Sequence, residues 1–240
     1  MTCSGAPDAP GAPGALPLSS VPALPPLPLE RCRFAVVDVE TSGVRFERGG
    51  RIVELAVAIL EGGTIHLAWH ALVDPGTALS PFVTRLTGIT DALLVGRPGF
   101  ADVAPALARA LEAGVFVAHN ARFDWRFLAA ECALAGVPAP EGTPLCTVRL
   151  TRRLVPELRH RSLDDVARFF EIANPARHRA FGDALATAGV LRGLLLRARE
   201  RGVTTLEELV DLHTRPRHRP PRQAGPAHSA PSLTSPELMG

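Results

Sequence analysis

The chain has 240 residues, 46% of them hydrophobic, and a formal net charge of +2. This length and composition predict one folded domain with a substantial core and exclude two large domains. The charge is too small to attract a polyanion by itself, so any binding to nucleic acid must come from local placement of charged side chains. No uninterrupted apolar stretch is long enough to span a bilayer, so we expect no membrane association.

Both ends of the chain differ in composition from its middle. Residues 1–30 are rich in Pro, Ala, Gly and Ser and contain no Lys or Arg, which predicts a disordered leader and disfavours a signal peptide. Residues 214–240 predict a disordered Arg/Pro-rich tail, so the folded unit is expected over residues 31–213. The cysteines are Cys3, Cys32, Cys132 and Cys146. They form neither a close metal-type spacing nor a disulfide framework, which favours a reducing cytoplasm.

The folded unit opens with three runs that are typical of strands. They cover Arg33–Glu40, Arg51–Leu60 and Thr64–Val73, and a Glu-Gly-Gly turn joins the last two. Their short connections favour an antiparallel meander. Alternation in the second run predicts one face formed by Ile52, Glu54, Ala56 and Ala58.

Helices and strands alternate after this meander. A loop with the sequence LTGIT (Leu86–Thr90) comes before a helix-like stretch, Phe100–Gly114, and a strand, Val115–His119. A second helix follows from Asn120, which is placed to cap it. The remaining predicted elements are an extended segment near Pro144–Thr147 and helices near Ser162, Asp183 and Thr205. Antiparallel strands followed by βα units predict an α/β fold with a mixed sheet flanked by helices.

The sequence FAVVDVETSG, residues 34–43, places two acids at the end of a buried strand. Asp38 and Glu40 are two residues apart, so their side chains share one face. Like charges this close raise each other's pKa unless a cation holds both ionised, and carboxylates are the ligands that Mg²⁺ and Mn²⁺ prefer. The alternative is a strand end frayed into water with two solvated acids, and the pair alone does not decide between the two.

Three further residues are ambiguous when each is considered alone. Asp124 lies in the first turn of a helix whose predicted apolar stripe is Phe123, Phe127, Ala130 and Leu134, and an acid there suits the helix dipole. Asp183, after Gly182, is also explained by the N-terminus of the last long helix. His178, five residues earlier in a predicted loop, is explained as a surface histidine.

Taken together, VVDVETSG, HNARFDWRFL and HRAFGDALAT resemble, in this order and at these separations, the DEDDh family of 3′–5′ exonucleases. The resemblance is to the epsilon (proofreading) subunit of bacterial DNA polymerase III and its relatives, and it extends over residues 34–195. It implies a ribonuclease H-like fold with a five-stranded mixed sheet. The invariant acids of the family fall on Asp38, Glu40, Asp124 and Asp183, and its histidine falls on His178. The related family that uses Tyr is excluded, because the chain contains no Tyr.

The resemblance also implies a mechanism in which two Mg²⁺ or Mn²⁺ ions assist in-line displacement at phosphorus. Asp38 would bridge both ions, and Glu40 and Asp183 would complete the site that holds the attacking water. Asp124 would assist through a bound water, and His178 would be the general base.

A smaller set of residues is expected to contact the terminal nucleotide: Thr41, Leu86, Thr87, Gly88, Ile89, His119, Asn120 and Phe123. The family often has His where this chain has Thr87, which leaves the contact of the LTGIT loop open. Phe123 is equally explained as part of the core.

The sequence therefore predicts a metal-dependent 3′–5′ exonuclease that acts on nucleic acid with a free 3′ end, DNA in preference to RNA, in proofreading or repair. A DNA polymerase is a candidate partner. One alternative is an RNA-trimming exonuclease with the same fold, and another is an inactive nuclease-like module that binds nucleic acid or a polymerase. Clustered like charges argue against the inactive module, because it would have no reason to keep them.

Overall fold

The structure of the protein, a computed structural model, describes residues 26–216. Its centre is a five-stranded sheet with the order β3-β2-β1-β4-β5. The strands are β1 (Arg33–Thr41), β2 (Ile52–Glu61), β3 (Thr64–Leu72), β4 (Val115–Ala118) and β5 (Leu145–Cys146). β2 is antiparallel to β1 and β3, whereas β4 runs parallel to both β1 and β5. The predicted five-stranded mixed sheet is confirmed.

Helices cover both faces of the sheet. They are α1 (Pro81–Thr87), α2 (Asp91–Leu94), α3 (Phe100–Leu111), α4 (Arg122–Ala135), α5 (Thr147–Leu154), α6 (Leu163–Phe169), α7 (Ala180–Arg199) and α8 (Leu206–Thr214). Alternation along β1 sends Phe34 and Val36 into one core with α5, α6, α7 and α8. Its other side chains, Ala35 and Val37, enter a second core with α3 and α4. Asp38 and Glu40 continue the alternation on the α7 side.

The predicted face of β2 is wrong at Ile52. Glu40 pairs with Glu54, but Thr41 pairs with Ile52, so one extra residue of β2 lies between these two pairs. This irregularity turns Ile52 into the core beneath α3 and α4, whereas Ala56 and Ala58 keep the α7 side. The alternation of apolar residues could not reveal it, because both faces of β2 are buried.

Several element boundaries also differ from those predicted. The last long helix begins at Ala180 and not at Asp183, and α8 ends at Thr214. The segment 27–30 lies before the predicted start of the folded unit, yet it pairs with the chain around the start of α8. The Leu29 N–H donates to the Thr204 carbonyl (2.9 Å), and Leu29 is buried.

The rest of the predicted leader, and the predicted tail beyond residue 216, lie outside the described residues. Within residues 26–216, none of the helices has both the length and the apolar character needed to cross a bilayer.

A buried ion pair fixes α4 to the sheet. Glu131 on α4 is 1% exposed and accepts hydrogen bonds from Nε and Nη2 of Arg51, both at 2.8 Å, and from the Ile52 N–H at 3.0 Å. The backbone of Arg51 in turn exchanges hydrogen bonds with Ser42 in the turn after β1. This Glu131–Arg51 pair therefore ties together α4, β2 and the end of β1.

Arg51→Ala should destabilise the protein strongly, because it leaves the Glu131 carboxylate buried without its cation. We expect a loss of about 3–5 kcal/mol in the free energy of unfolding, measured by urea denaturation. Arg126→Ala is the matched control, since it breaks an exposed pair with Glu47 and should cost less than about 1 kcal/mol. Equal losses in the two variants would contradict the importance given to burial.

Candidate active site

Three acids from two distant parts of the sequence meet near the carboxyl end of β1. Asp38 and Glu40 project from the end of this strand toward α7, and Asp183 lies in the first turn of that helix. One carboxylate oxygen from each residue lies within 4.8 Å of the others. Such a group of hard oxygen donors is the ligand type that a small divalent cation requires.

Asp124 approaches the same region from the opposite side of the sheet. It lies in the first turn of α4, is 3% exposed, and accepts a hydrogen bond from the Val39 N–H through Oδ1 (3.3 Å). It therefore stands next to Asp38 and Glu40 in β1, although it is outside the group of three acids defined above.

The prediction for the helix that carries Asp124 is wrong in two respects. Leu134, predicted in the apolar stripe, is 61% exposed, because the buried face of α4 is instead formed by Asp124, Phe127, Leu128, Glu131 and Cys132. Asn120 does not cap the helix: it is exposed with φ of +65°, and Ala121 occupies the N-cap position. The first error arose because two acids on the buried face, Asp124 and Glu131, broke the apolar period that located the helix.

The surroundings of these acids disfavour their ionisation. Burial, followed by the charges of Asp124 and Asp183, raises the pKa of Asp38 well above its ordinary value. Burial, then the charge of Asp183, raises the pKa of Glu40 to about 8. Burial also raises the pKa of Asp124, to about 7, and that of Asp183. A carboxylate cluster of this kind is what a bound cation would stabilise, so the donor set fits a divalent metal ion.

The predicted general base lies beside this cluster. His178 precedes α7 and has a left-handed backbone, with φ of +56°. The backbone N–H of His178 donates to Oδ2 of Asp183 (3.1 Å). The side-chain amide of Asn174 donates to Oδ1 of the same carboxylate (2.5 Å). Asp183 therefore organises the loop that carries His178.

Glu54 is a residue to which the sequence analysis gave no role. It is fully buried opposite Glu40 on the neighbouring strand. Arg179 donates to its carboxylate from Nε (3.1 Å) and Nη2 (2.7 Å), the Ala180 N–H donates at 2.9 Å, and Nε2 of His70 lies 2.7 Å away. Burial opposes its charge, yet these hydrogen bonds hold the pKa of Glu54 below its ordinary value. An acid inside the apolar run IVELAVAIL was the signal that could have identified it.

Three of the predicted nucleotide contacts have side chains that pack or form hydrogen bonds within the protein. The LTGIT sequence forms the end of α1, where Thr87 (5% exposed) and Ile89 (0%) are buried with Val53 and Val83. His119 has both ring nitrogens engaged, Nδ1 with Oγ1 of Thr147 (2.8 Å) and Nε2 with the Arg161 carbonyl (3.0 Å). These three side chains therefore contribute to packing and hydrogen bonding within the fold.

The other predicted contacts remain accessible. Leu86, Gly88 and Asn120 are exposed, and Thr41 is half-buried. Half-buried Phe123 packs against Phe127, with the ring centroids 4.9 Å apart and the ring planes tilted by 45°. Asn120 and Phe123 line a surface cavity of about 350 Å³; its other lining residues are Val44, Arg45, Phe46, Glu47, Arg122, Arg126, Phe127 and Ala130. Aromatic rings and guanidinium groups are the side chains on which bases stack and to which phosphates bind.

Comparison with known proteins gives a consistent result. The family model described as Exonuclease matches residues 35–191, a range that includes all the predicted acids and His178. The chain is 30% identical over 181 residues to the 3′-5′ exonuclease DinG of Bacillus subtilis, and 35% identical over 182 residues to the PolC-type DNA polymerase III of the same organism. Each match covers 75% of this chain but only 19% and 13% of these relatives, so the chain spans a small part of their length.

One solved structure covers nearly the same part of the chain. It is Exonuclease X in complex with 5′ overhanging duplex DNA, which is 29% identical and has a TM-score of 0.59. The similarity covers 76% of this chain and 99% of that chain.

The raised pKa values predict an unusual pH dependence for the metal-free protein. Because the pKa of Glu40 is about 8 in the folded state against 4.5 ordinarily, the folded state binds more protons than the unfolded state between these values. Stability should therefore fall as the pH rises through this window. We expect the Tm of EDTA-treated protein to decrease from pH of about 5 to about 8, and added Mn²⁺ to raise it most at the higher pH.

Two variants test whether Glu40 is responsible. Glu40→Gln should flatten the decrease in Tm, because it removes one titrating group from the cluster. Glu61→Gln, at an exposed acid on the same sheet, is the control and should keep the wild-type slope. Parallel slopes in Glu40→Gln and the wild type would refute the assignment.

Proposed function

The chain belongs to the exonuclease family, and from this premise we propose that it is a metal-dependent 3′–5′ exonuclease of the DEDDh type. It would hydrolyse phosphodiester bonds one after another from the 3′ end of a nucleic acid. The observation that carries the proposal is the meeting of Asp38, Glu40 and Asp183 within 4.8 Å, next to buried Asp124 and the loop of His178.

The acids would hold two Mg²⁺ or Mn²⁺ ions, with Asp38, Glu40 and Asp183 as direct ligands and Asp124 as an assisting one. When bound, the ions would neutralise charge on the reacting phosphate and favour ionisation of the attacking water. The acids thus serve an anionic substrate only through the cations they hold. The Val39 N–H fixes the Asp124 carboxylate, and Asn174 fixes that of Asp183, so both acids are held in place before metal arrives.

His178 would take the proton from the attacking water. Imidazole is the side chain best suited to accept a proton near neutral pH. The hydrogen bond from its backbone N–H to Asp183 supports this role, because it holds the backbone of His178 next to a proposed metal ligand. The left-handed backbone at this position is of the strained kind that occurs often at functional sites.

The terminal nucleotide would enter between the acids and the surface cavity. Its base would stack on Phe123, and Thr41, Leu86, Gly88 and Asn120 would contact the sugar and base. Stacking of this type tolerates any sequence, which suits an enzyme that removes successive nucleotides. Arg45 and Arg122 in the cavity would bind backbone phosphates.

DNA is the proposed substrate. One relative is named as a DNA polymerase, and the solved structure with 29% identity is described as a complex with duplex DNA. The same relative makes a DNA polymerase a candidate partner, in proofreading or repair. The chain covers only 13% of that relative, so the partner is inferred from this region of similarity alone.

Turnover should depend on the acids and on His178 to different extents. Asp38→Asn and Asp183→Asn should abolish degradation, because each removes a proposed direct ligand. His178→Ala should lower the rate by roughly 10²–10⁴ while leaving the Mn²⁺-dependent rise in Tm intact. His66→Ala, at an exposed histidine on β3, is the control and should keep the wild-type rate.

The assay uses three 5′-labelled substrates with Mn²⁺: single-stranded DNA, duplex DNA with a mispaired 3′ end, and RNA. A ladder that shortens from the 3′ end of DNA is the expected result. Degradation of RNA alone would reassign the substrate, and a few internal cuts would indicate an endonuclease. Failure to cut any of the three, with no Mn²⁺-dependent change in Tm, would indicate an inactive module.

A further inference from the structure

The segment that carries His178 is attached to the sheet through Glu54. Arg179 follows His178 directly, and its guanidinium group meets the Glu54 carboxylate with two N–H groups. The next residue, Ala180, donates its backbone N–H to the same carboxylate and is the first residue of α7. One buried side chain on β2 therefore anchors two consecutive residues after His178.

The other side of His178 is also held. Asn174 donates to Asp183, and Ala176 packs so closely on α7 that a Cβ at Gly182 would lie 2.3 Å from the Ala176 carbonyl oxygen. His178 itself has a left-handed backbone, which costs free energy unless its surroundings maintain it. These contacts therefore hold the backbone of the loop on both sides of His178.

Stability alone is a weak reason for this arrangement. A buried ion pair is often no more stabilising than apolar side chains of the same volume, since both charges must be removed from water. Glu54 also adds a further carboxylate directly across the strand from Glu40, which increases repulsion in the cluster. Its position is explained if it serves the geometry of the neighbouring loop.

We propose that Glu54, acting through Arg179 and the Ala180 backbone, is a positioning residue that holds His178 in place for proton transfer. The inference rests on the proposed function, because it concerns the step assigned to His178. Glu54 would contact neither substrate nor metal. Its effect on the rate would be transmitted only through the segment from His178 to Ala180.

The chain offers a matched control in Glu131. It is buried like Glu54 and receives two N–H groups from an arginine and one backbone N–H from β2, whereas Glu54 also has Nε2 of His70 at 2.7 Å. These hydrogen bonds join Glu131 to Arg51 and Ile52, and not to the His178 loop. Glu54→Gln and Glu131→Gln should therefore perturb the fold in comparable ways. Only Glu54→Gln should affect the step that uses His178.

Double variants that include His178→Ala distinguish an effect on the His178 step from a general perturbation of the fold. Glu54→Gln should lower kcat about 10-fold with little change in KM, as expected for a misplaced group at the chemical step. In the His178→Ala background, Glu54→Gln should cause no further loss, whereas the effect of Glu131→Gln should multiply with that of His178→Ala. Arg179→Lys should lower kcat as much as Glu54→Gln does. Lysine keeps the positive charge but cannot form the bidentate hydrogen bonds that the guanidinium group forms.

A second measurement does not depend on activity. Hydrogen exchange followed by mass spectrometry on metal-free protein should show faster exchange of residues 174–181 in Glu54→Gln and Arg179→Lys, and wild-type exchange there in Glu131→Gln. Two results would overturn the positioning role: wild-type hydrogen exchange of residues 174–181 in Glu54→Gln, or a decrease in kcat from Glu54→Gln that multiplies with that of His178→Ala. If the wild type degrades no nucleic acid, the proposed function fails, and the exchange data still decide whether Glu54 holds the loop.

Discussion

The repulsion among buried carboxylates is the constraint around which this molecule is organised. Asp38, Glu40 and Asp183 come within 4.8 Å of one another, and Asp124 is buried close by. Burial raises the pKa of each of these acids, and the charges of Asp124 and Asp183 raise that of Asp38 further, so their ionised forms are disfavoured. The backbone must therefore hold them together, and the sheet does so by ending β1 where α4 and α7 approach from its two faces.

Two buried glutamates hold these helices against the sheet. Glu131 on α4 binds Arg51 at the start of β2, and Glu54 on β2 binds Arg179 at the start of α7. In each pair the glutamate is buried and the arginine is partly exposed, so the cation retains part of its hydration. Each glutamate also accepts a hydrogen bond from the first backbone N–H of an element. Glu131 binds the N–H of Ile52 in β2 and Glu54 that of Ala180 in α7, which fixes the start of each element. β2 thus connects both helices that bring acids to the site.

Much of the fold could be predicted because it follows from local patterns. Apolar runs with short turns predicted the antiparallel strands, and alternation of helix and strand predicted the mixed sheet. The prediction for Ile52 was wrong because the extra residue in β2 turns it to the other face. The apolar stripe predicted for α4 was wrong because two acids, Asp124 and Glu131, occupy its buried face. A pattern of hydrophobicity assigns such residues to the surface, because it contains no information about their partners.

The sequence alone determined the order of the elements, because apolar alternation and turn residues are local patterns. It also nominated four acids and one histidine as site residues, but only through their joint resemblance to a known family, since each was ambiguous when considered alone. Only the tertiary structure decided which acids meet, and that Glu54 and Arg179, 125 positions apart, join beside His178. Such pairs form by hydrogen bonding between distant segments, and their geometry exists only after the sheet and its helices have packed.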